Sequence, residues 1–350
     1  MSASKSQFVL YGANGYTGRL IAQVALREGM KPVLAGRSKE SIEPLARELG
    51  CESLVFSLDE PARVAKLIEP FGALLLAAGP FSATSRAALE ACLRARTAYL
   101  DITGEIDVFE HVFGRHGDAV AAGIPVLPGT GFDVVPSDCL ARALSEALPG
   151  ATKLELAFRG FKSSPGTMKT MIEGLPSGGR ARVDGQLVRV PSAWKTMMVP
   201  FPDKPRLAMT IPWGDLSTAF RSTGIPNIEV SMAMPKAAID AARRMRLLAP
   251  LLGFGPVQAY LKKKAEARKG PTAEERERER SYLWGRVTRG DTVKTGTLET
   301  LEGYALTSET SVAIVKRVLD GSVEPGVWTP SQAFGARFIE TIRSSKLVVA

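Results

Sequence analysis

From Gln7 to Leu127 short apolar runs alternate with amphipathic stretches. The runs are QFVLY (7–11), KPVLAG (31–36), SLVFS (53–57), GALLLAA (72–78), AYLDI (98–102) and IPVLPG (124–129). Between them, residues at helical spacing run over Gly15–Glu28, Ser38–Leu49, Glu60–Ile68, Thr84–Arg94 and Asp107–Ala122. Near-continuous apolar strands must be covered on both faces, so this alternation predicts a doubly wound parallel sheet of six strands, a Rossmann-type α/β unit.

After Phe132 the pattern changes. Pro136, Ser137 and Asp138 predict the start of a helix ending near Gly150. Beyond it TKLELAF, GQLVRV, RLAMTI and NIEVSMAM alternate with Gly, Pro and Ser turns. That rhythm predicts a second, α+β domain with a mainly antiparallel sheet, covered on one face by helices over Lys236–Leu252 and Gly303–Leu319. In TPSQAFGARFIETI, Thr329 as N-cap and Pro330 at the first helical position predict a final helix. The expected division is a Rossmann domain over 1–134, a substrate or dimerisation domain over 135–328, and a helix over 329–343 returning to the first domain.

The first strand ends in FVLYGANGYTGRL, where Gly12, Gly15 and Gly18 precede a helix. A glycine turn of this kind aims backbone N–H groups and a positive helix end at an anion such as a pyrophosphate. Gly12, Asn14, Gly15, Tyr16, Thr17 and Gly18 are therefore expected to contact a dinucleotide. An acidic residue closing the second strand would hydrogen-bond an NAD ribose. Here that place holds Gly36, Arg37 and Ser38, and a guanidinium matches a 2′-phosphate, so NADP(H) is expected.

The fourth strand closes on Ala78, Gly79, Pro80 and Phe81, placing small residues, and an aromatic wall for a nicotinamide, on the same sheet edge. YLDITGE brings Asp101, Thr103 and Glu105 to that edge. Its two carboxylates either orient substrate and relay a proton or cap the following helix. In GTGFDVVPSD, Phe132 and Asp133 stand where the chain leaves the first domain, as cleft residues or as a hinge. In SSPGTMKTMIEGL, Gly166, Thr167 and Lys169 head an apolar helix that either receives a substrate anion or is a plain helix start. The catalytic candidates are Asp101, Glu105 and Asp133.

Composition narrows the classes. Three separated cysteines, Cys51, Cys92 and Cys139, argue against a disulfide framework and against zinc, so no metal is expected. The first strand begins almost at once after MSASKSQF, and no apolar run approaches 18 residues. The expectation is a cytoplasmic protein, with peripheral membrane association left open. His111 and His116 are expected on a surface helix. Tyr260 and Lys264 have the YxxxK spacing of a short-chain dehydrogenase but stand far outside the Rossmann pattern.

The net charge of +9 is uneven, with 14 Lys/Arg against 6 Asp/Glu between Lys236 and Arg289. Apolar and basic residues interleave there, which suits an anionic membrane surface, an acidic carrier protein or a solubilising helical face. No nucleic-acid motif or ladder of stacking aromatics accompanies the charge, so nucleic acid is not expected.

YGANGYTG, AGRS, AAGPF, AYLDITGE, GTGFDVVPSD, GTMKTMIEGL and TPSQAFGARFIE, in that order, resemble the saccharopine dehydrogenase-like oxidoreductases, including the trans-acting enoyl reductases. The likeness runs from about Phe8 to Glu340. It implies a bilobal reductase that draws hydride from NADPH, with a C=C bond of a lipid or polyketide-type acyl substrate as the first expectation. The alternatives are a C=N bond of an amino-acid-derived substrate and a non-catalytic NADP-binding protein at a membrane or carrier protein. A homodimer is a further fold-level expectation.

Overall fold

The computed structural model describes residues 5–159, 163–174, 176, 178–246, 253–266 and 270–350. Contacts divide the chain into two compact units, one of residues 1–135 with 304–333 and one of residues 136–303 with 334–350.

The first unit is built on a seven-stranded parallel sheet. Its strands are β1 (Phe8–Tyr11), β2 (Val33–Gly36), β3 (Ser53–Val55), β4 (Ala73–Leu76), β5 (Ala98–Asp101), β6 (Pro125–Leu127) and β15 (Gly326–Val327). Their order is β15-β6-β5-β4-β1-β2-β3, and Val9 of β1 lies between Val33 and Leu74. β1 and β4 are buried along their whole length, because helices follow β1 to β5: α1 (Tyr16–Arg27), α2 (Lys39–Leu49), α3 (Pro61–Ile68), α4 (Phe81–Ala95), and α5 (Ile106–Phe113) with α6 (His116–Ala122). The expected helix over Asp107–Ala122 is thus two helices, interrupted at Gly114 and Arg115. The order reverses between β1 and β4, which opens a crevice at their carboxyl ends.

The seventh strand was not expected from the sequence. Two residues are too short for a periodicity signal, and β15 is held by parallel pairing of Gly326 with Pro125 and by His116, whose Nδ1 accepts from the Val327 N–H at 3.1 Å. His116 is exposed, as expected.

The second unit holds a nine-stranded mixed sheet. It comprises β7 (Lys153–Arg159), β8 (Gly179–Val183), β9 (Gln186–Val190), β10 (Thr196–Pro200), β11 (Pro205–Thr210), β12 (Asn227–Ala233), β13 (Arg280–Arg289), β14 (Thr292–Leu301) and β16 (Lys346–Val349). All its pairs are antiparallel except β7 with β12, in keeping with the expected sheet. Its helices are α7 (Val135–Ala147), whose first residue falls in the first unit, α8 (Pro165–Gly174), α9 (Asp215–Thr223), α10 (Lys236–Met245), α11 (Gly255–Glu266) and α12 (Ala273–Arg278). The part of the expected Lys236–Leu252 helix beyond Arg246 lies outside the described residues.

Two expectations for the C-terminal third differ from the structure. Helix α13 (Gly303–Leu319) groups with the first unit from Tyr304 onward and not with the second sheet. Its buried hydroxyls explain this, because Thr310 Oγ1 donates to the Thr130 carbonyl at 2.7 Å and the Thr307 hydroxyl accepts from the Phe132 N–H at 3.0 Å. The expected 329–343 helix is a short α14 (Pro330–Phe334) followed by a 3₁₀ turn over Phe338–Thr341. Thr329 does cap it, accepting from the Gln332 N–H at 3.2 Å, but Gly335 at φ +85° ends the helix. The residues beyond Ala333 join the second unit.

Candidate functional site in the first unit

The glycine turn after β1 is shaped by contacts that exclude side chains. Gly12 has φ +87°, and a Cβ there would lie 2.8 Å from the Ala78 nitrogen. The turns following β1 and β4 therefore touch backbone to backbone at the crevice. A Cβ at Gly18 would collide with the Gly12 carbonyl and stand 2.8 Å from Ala13 Cα. The Gly12 N–H donates to the Ala35 carbonyl at 2.8 Å, and Gly15 N–H donates back to the Gly12 carbonyl at 3.0 Å. These bonds tie the turn to the end of β2.

The start of α1 lacks the usual protein substitutes for an anion. Gly15 at the N-cap offers no side chain, and the first turn has no acidic residue. The start of α4 is the opposite case. Both Glu105 oxygens accept there, from the Phe81 and Ser82 N–H groups at 2.8 Å each. One helix start is filled by the protein's own carboxylate, and the other fits a pyrophosphate.

At the end of β2, Arg37 is exposed and Ser38 is half-buried. The Asn14 amide oxygen reaches toward Gly36, 3.5 Å from where its Cβ would stand. Asn14, Gly36, Arg37 and Ser38 thus form one corner beside the glycine turn. Ser38 Oγ donates to Glu40 at 3.0 Å, and burial raises the Tyr11 phenol while the Arg37 charge opposes that rise. Tyr16 packs edge-on to Tyr304 of α13 with ring centroids 5.0 Å apart. Sequence reasoning did not include Tyr304, because nothing in its helical setting marks it as a neighbour of the turn. Thr17 lies half-buried in the first turn of α1.

At the end of β4, Thr84 Oγ1 donates to the Ala78 carbonyl at 2.8 Å and to the Pro80 carbonyl at 3.2 Å. This fixes the Ala78–Phe81 loop, with Gly79 inside it. The Phe81 ring belongs to the hydrophobic core of the first unit and is 9% exposed, and its N–H is taken by Glu105.

The three carboxylates converge on this sheet edge with different surroundings. Asp101 is fully buried and accepts from the Tyr99 hydroxyl at 2.6 Å, the Gly129 N–H at 2.8 Å and the Thr103 N–H at 3.0 Å. Burial pushes it up to about 6 despite those donors, and its charge and hydrogen bond add to the burial that raises Tyr99. Its oxygens are engaged in bracing the ends of β5 and β6. Glu105 is engaged at α4. Asp133 is half-buried and stands against Gly104, where a Cβ would be 3.0 Å from the Asp133 Cγ. Loss of solvent pushes Asp133 up to about 7, and the Glu105 charge adds to the rise. Tyr99 and Gly104 are further residues that the sequence did not single out. Their roles depend on a close approach that spacing does not encode.

Phe132 is buried, 4% exposed, with its N–H on Thr307. Gly166, Thr167 and Lys169 lie together in the first turn and a half of α8, in the second unit, where Ser164 Oγ accepts from the Thr167 N–H at 3.3 Å. Among the described residues no cluster of His, Cys, Asp and Glu is placed to hold a metal. Cys92 and Cys139 are buried and Cys51 is partly so, all as free thiols.

Comparisons with known proteins bear on the first unit and on the fold. Residues 8–127 match the model of the saccharopine dehydrogenase NADP binding domain. A trans-acting enoyl reductase of Mycobacterium leprae is 33% identical over 148 residues, which are 39% of this chain and 35% of that protein. A saccharopine dehydrogenase-like oxidoreductase of Rattus norvegicus is 26% identical over 203 residues, 50% of this chain and 47% of the relative. The matches thus span between about a third and a half of these relatives' lengths. Saccharopine dehydrogenase (L-Glu forming) from Saccharomyces cerevisiae has the same fold, with a TM-score of 0.67 at 12% identity over 99% of this chain and 100% of the other. Residues 8–127 therefore form an NADP-binding domain of the saccharopine dehydrogenase type, and the chain's resemblance to the saccharopine dehydrogenase-like family holds in motif, domain and fold.

Proposed function

We propose that this chain is an NADPH-dependent reductase acting on the C=C bond of an enoyl group in a lipid- or polyketide-type acyl substrate. The observation that carries this reading is a glycine turn fitted to a pyrophosphate on the same sheet edge as a carboxyl, Asp133, that loss of solvent pushes up to about 7. The name of the Mycobacterium leprae relative favours the enoyl acceptor over an imine.

Gly12, Gly15 and Gly18 with the start of α1 would hold the pyrophosphate, and Asn14, Arg37 and Ser38 the 2′-phosphate end. Ala78 to Phe81 would line the nicotinamide side. Bound NADPH supplies a hydride to an electrophilic carbon. Of the three carboxyls, Asp133 is assigned the accompanying proton, because burial pushes it up to about 7, above Asp101 at about 6, while Asp101 and Glu105 hold loops through the donors they accept from. Asp101 and Glu105 act as positioning residues that brace the loops around it. Phe132, Gly166, Thr167 and Lys169 are kept as substrate candidates.

Arg37→Ala is expected to weaken NADPH binding by about 1.5–3 kcal/mol, the cost of a lost hydrogen bond to a charged group, while NADH binding stays nearly unchanged. Parallel fluorescence titrations read both. Equal losses for the two nucleotides would remove Arg37 from the 2′-phosphate site. NADPH oxidation is then measured with an enoyl thioester and with a cyclic imine. Turnover of the imine alone would replace the proposed acceptor, and turnover of neither with NADPH tightly bound would leave a binding protein.

A further inference from the structure

The second unit carries an exposed aromatic and basic face that the reductase reading does not use. Helix α11 packs against α8 through one side. Ala265 is buried on that side, Gln258 donates to the Ile172 carbonyl at 3.0 Å, and Lys262 pairs with Glu173 at 2.6 Å. The opposite side carries Tyr260, Lys263 and Lys264, which share one face at i, i+3 and i+4. All three are exposed, Tyr260 at 65%, and Phe254 just before the helix is 61% exposed. Neither Lys263 nor Lys264 forms an ion pair among the described residues, in contrast to Lys262. A large aromatic left in water on one face with two lysines that lack an ion pair among the described residues is an amphipathic surface in want of an occupant.

We infer that this face of α11 docks on an anionic lipid surface. Two features favour lipid over an acidic protein. Tyr beside Lys is the composition of a membrane interface, where the ring sits at headgroup depth and lysine stems run along apolar surface with the charge in water. Protein interfaces, by contrast, are depleted in lysine and favour arginine, and both exposed cations on this face are lysines. Among the described residues, the pairing of Lys262 with Glu173 leaves Lys263 and Lys264 as the cations of this face. Several other described cations of the basic region are committed elsewhere. Lys236 pairs with Asp240, Arg286 with Glu155, and Arg280 donates to the Glu277 and Glu279 carbonyls.

The test is co-sedimentation of the full chain with phosphatidylcholine vesicles, with and without phosphatidylserine. The wild type is expected to bind only the phosphatidylserine vesicles and to release as salt rises. Lys263→Gln with Lys264→Gln should weaken binding about 30-fold, the equivalent of two surface lysines. Tyr260→Ser should weaken it at every salt concentration, and Lys236→Gln, on α10, should leave it within about twofold. An unchanged circular-dichroism spectrum and thermal unfolding curve show that each variant is folded. Absence of binding to phosphatidylserine vesicles at low salt would overturn the inference and leave an acidic protein as the occupant. Equal losses for Lys236→Gln and the double variant would overturn it too, because diffuse charge would then suffice. None of these readings requires turnover, so they stand or fall separately from the reductase proposal.

Discussion

Asp133→Asn is expected to slow NADPH-dependent reduction about 100- to 10,000-fold, the usual contribution of a positioned general acid, while NADPH binding is retained. The wild-type rate should be level at acid pH and fall as pH rises through about 7, where this carboxyl loses its proton. The Asn variant should lack that limb, and a pH profile of single-turnover NADPH oxidation separates the two. Stability carries the same sign. A carboxyl raised in the folded chain contributes most below its ordinary value of 3.8, and that contribution is lost as pH rises through about 7. Chemical denaturation should therefore show a decline between about pH 4 and 7 in the wild type that is reduced in the variant. Glu105→Gln offers the contrast, since an amide oxygen still accepts from one of the Phe81 and Ser82 N–H groups. It is expected to alter stability and loop order more than the pH profile. If Glu105→Gln removed the limb and Asp133→Asn kept it, the assignment of the proton donor would be reversed.

Gly12→Ala is expected to abolish measurable NADPH binding and to lower stability by about 2–5 kcal/mol. The first part of that loss is about 1–2 kcal/mol for holding an L-residue in the left-handed region at φ +87°. The second is about 1–3 kcal/mol for overpacking, because the new Cβ would stand 2.8 Å from the Ala78 nitrogen and 2.9 Å from the Ala77 carbonyl carbon, neither of which can rotate away. Urea denaturation reads the stability and fluorescence titration the binding. Gly29→Ala is the control, since Gly29 also has positive φ but no atom within 4 Å of the added Cβ. It should show the strain alone and bind NADPH normally. Identical behaviour of the two variants would mean that the touching turns do not shape the nucleotide site.

The fold of the first unit was legible because a parallel sheet writes itself locally. β1 to β6 are short apolar runs separated by helices, and the burial of the inner strands follows from helices on both faces, while β3 at the sheet edge stays partly exposed. The four strands expected in the second unit, which became β7, β9, β11 and β12, were legible for the complementary reason, that alternation and turn residues mark antiparallel chains. β13 and β14 were not. β13 falls inside the Lys236–Arg289 region, where charges such as Arg286, which pairs across the sheet with Glu155, read as a basic surface, and β14 follows it without having been singled out as a strand. β16, at the very end of the chain, is held by antiparallel pairing with β14.

The amino-acid sequence by itself determined the nucleotide turn, the absence of an acidic residue at the end of β2, and the set of three carboxylates, since these depend on residue type and position along one strand–turn–helix unit. Only the tertiary structure decided how those carboxylates divide. Tyr99, Thr103 and Gly129 donate to Asp101, the start of α4 donates to Glu105, and Gly104 makes room for Asp133. The tertiary structure alone also drew α13 to the first unit, through hydroxyls on Thr307 and Thr310 that reach the turn at Thr130–Phe132. In both cases the deciding quantity is the distance to a partner remote in sequence, which sets desolvation and hydrogen bonding and which no local pattern carries.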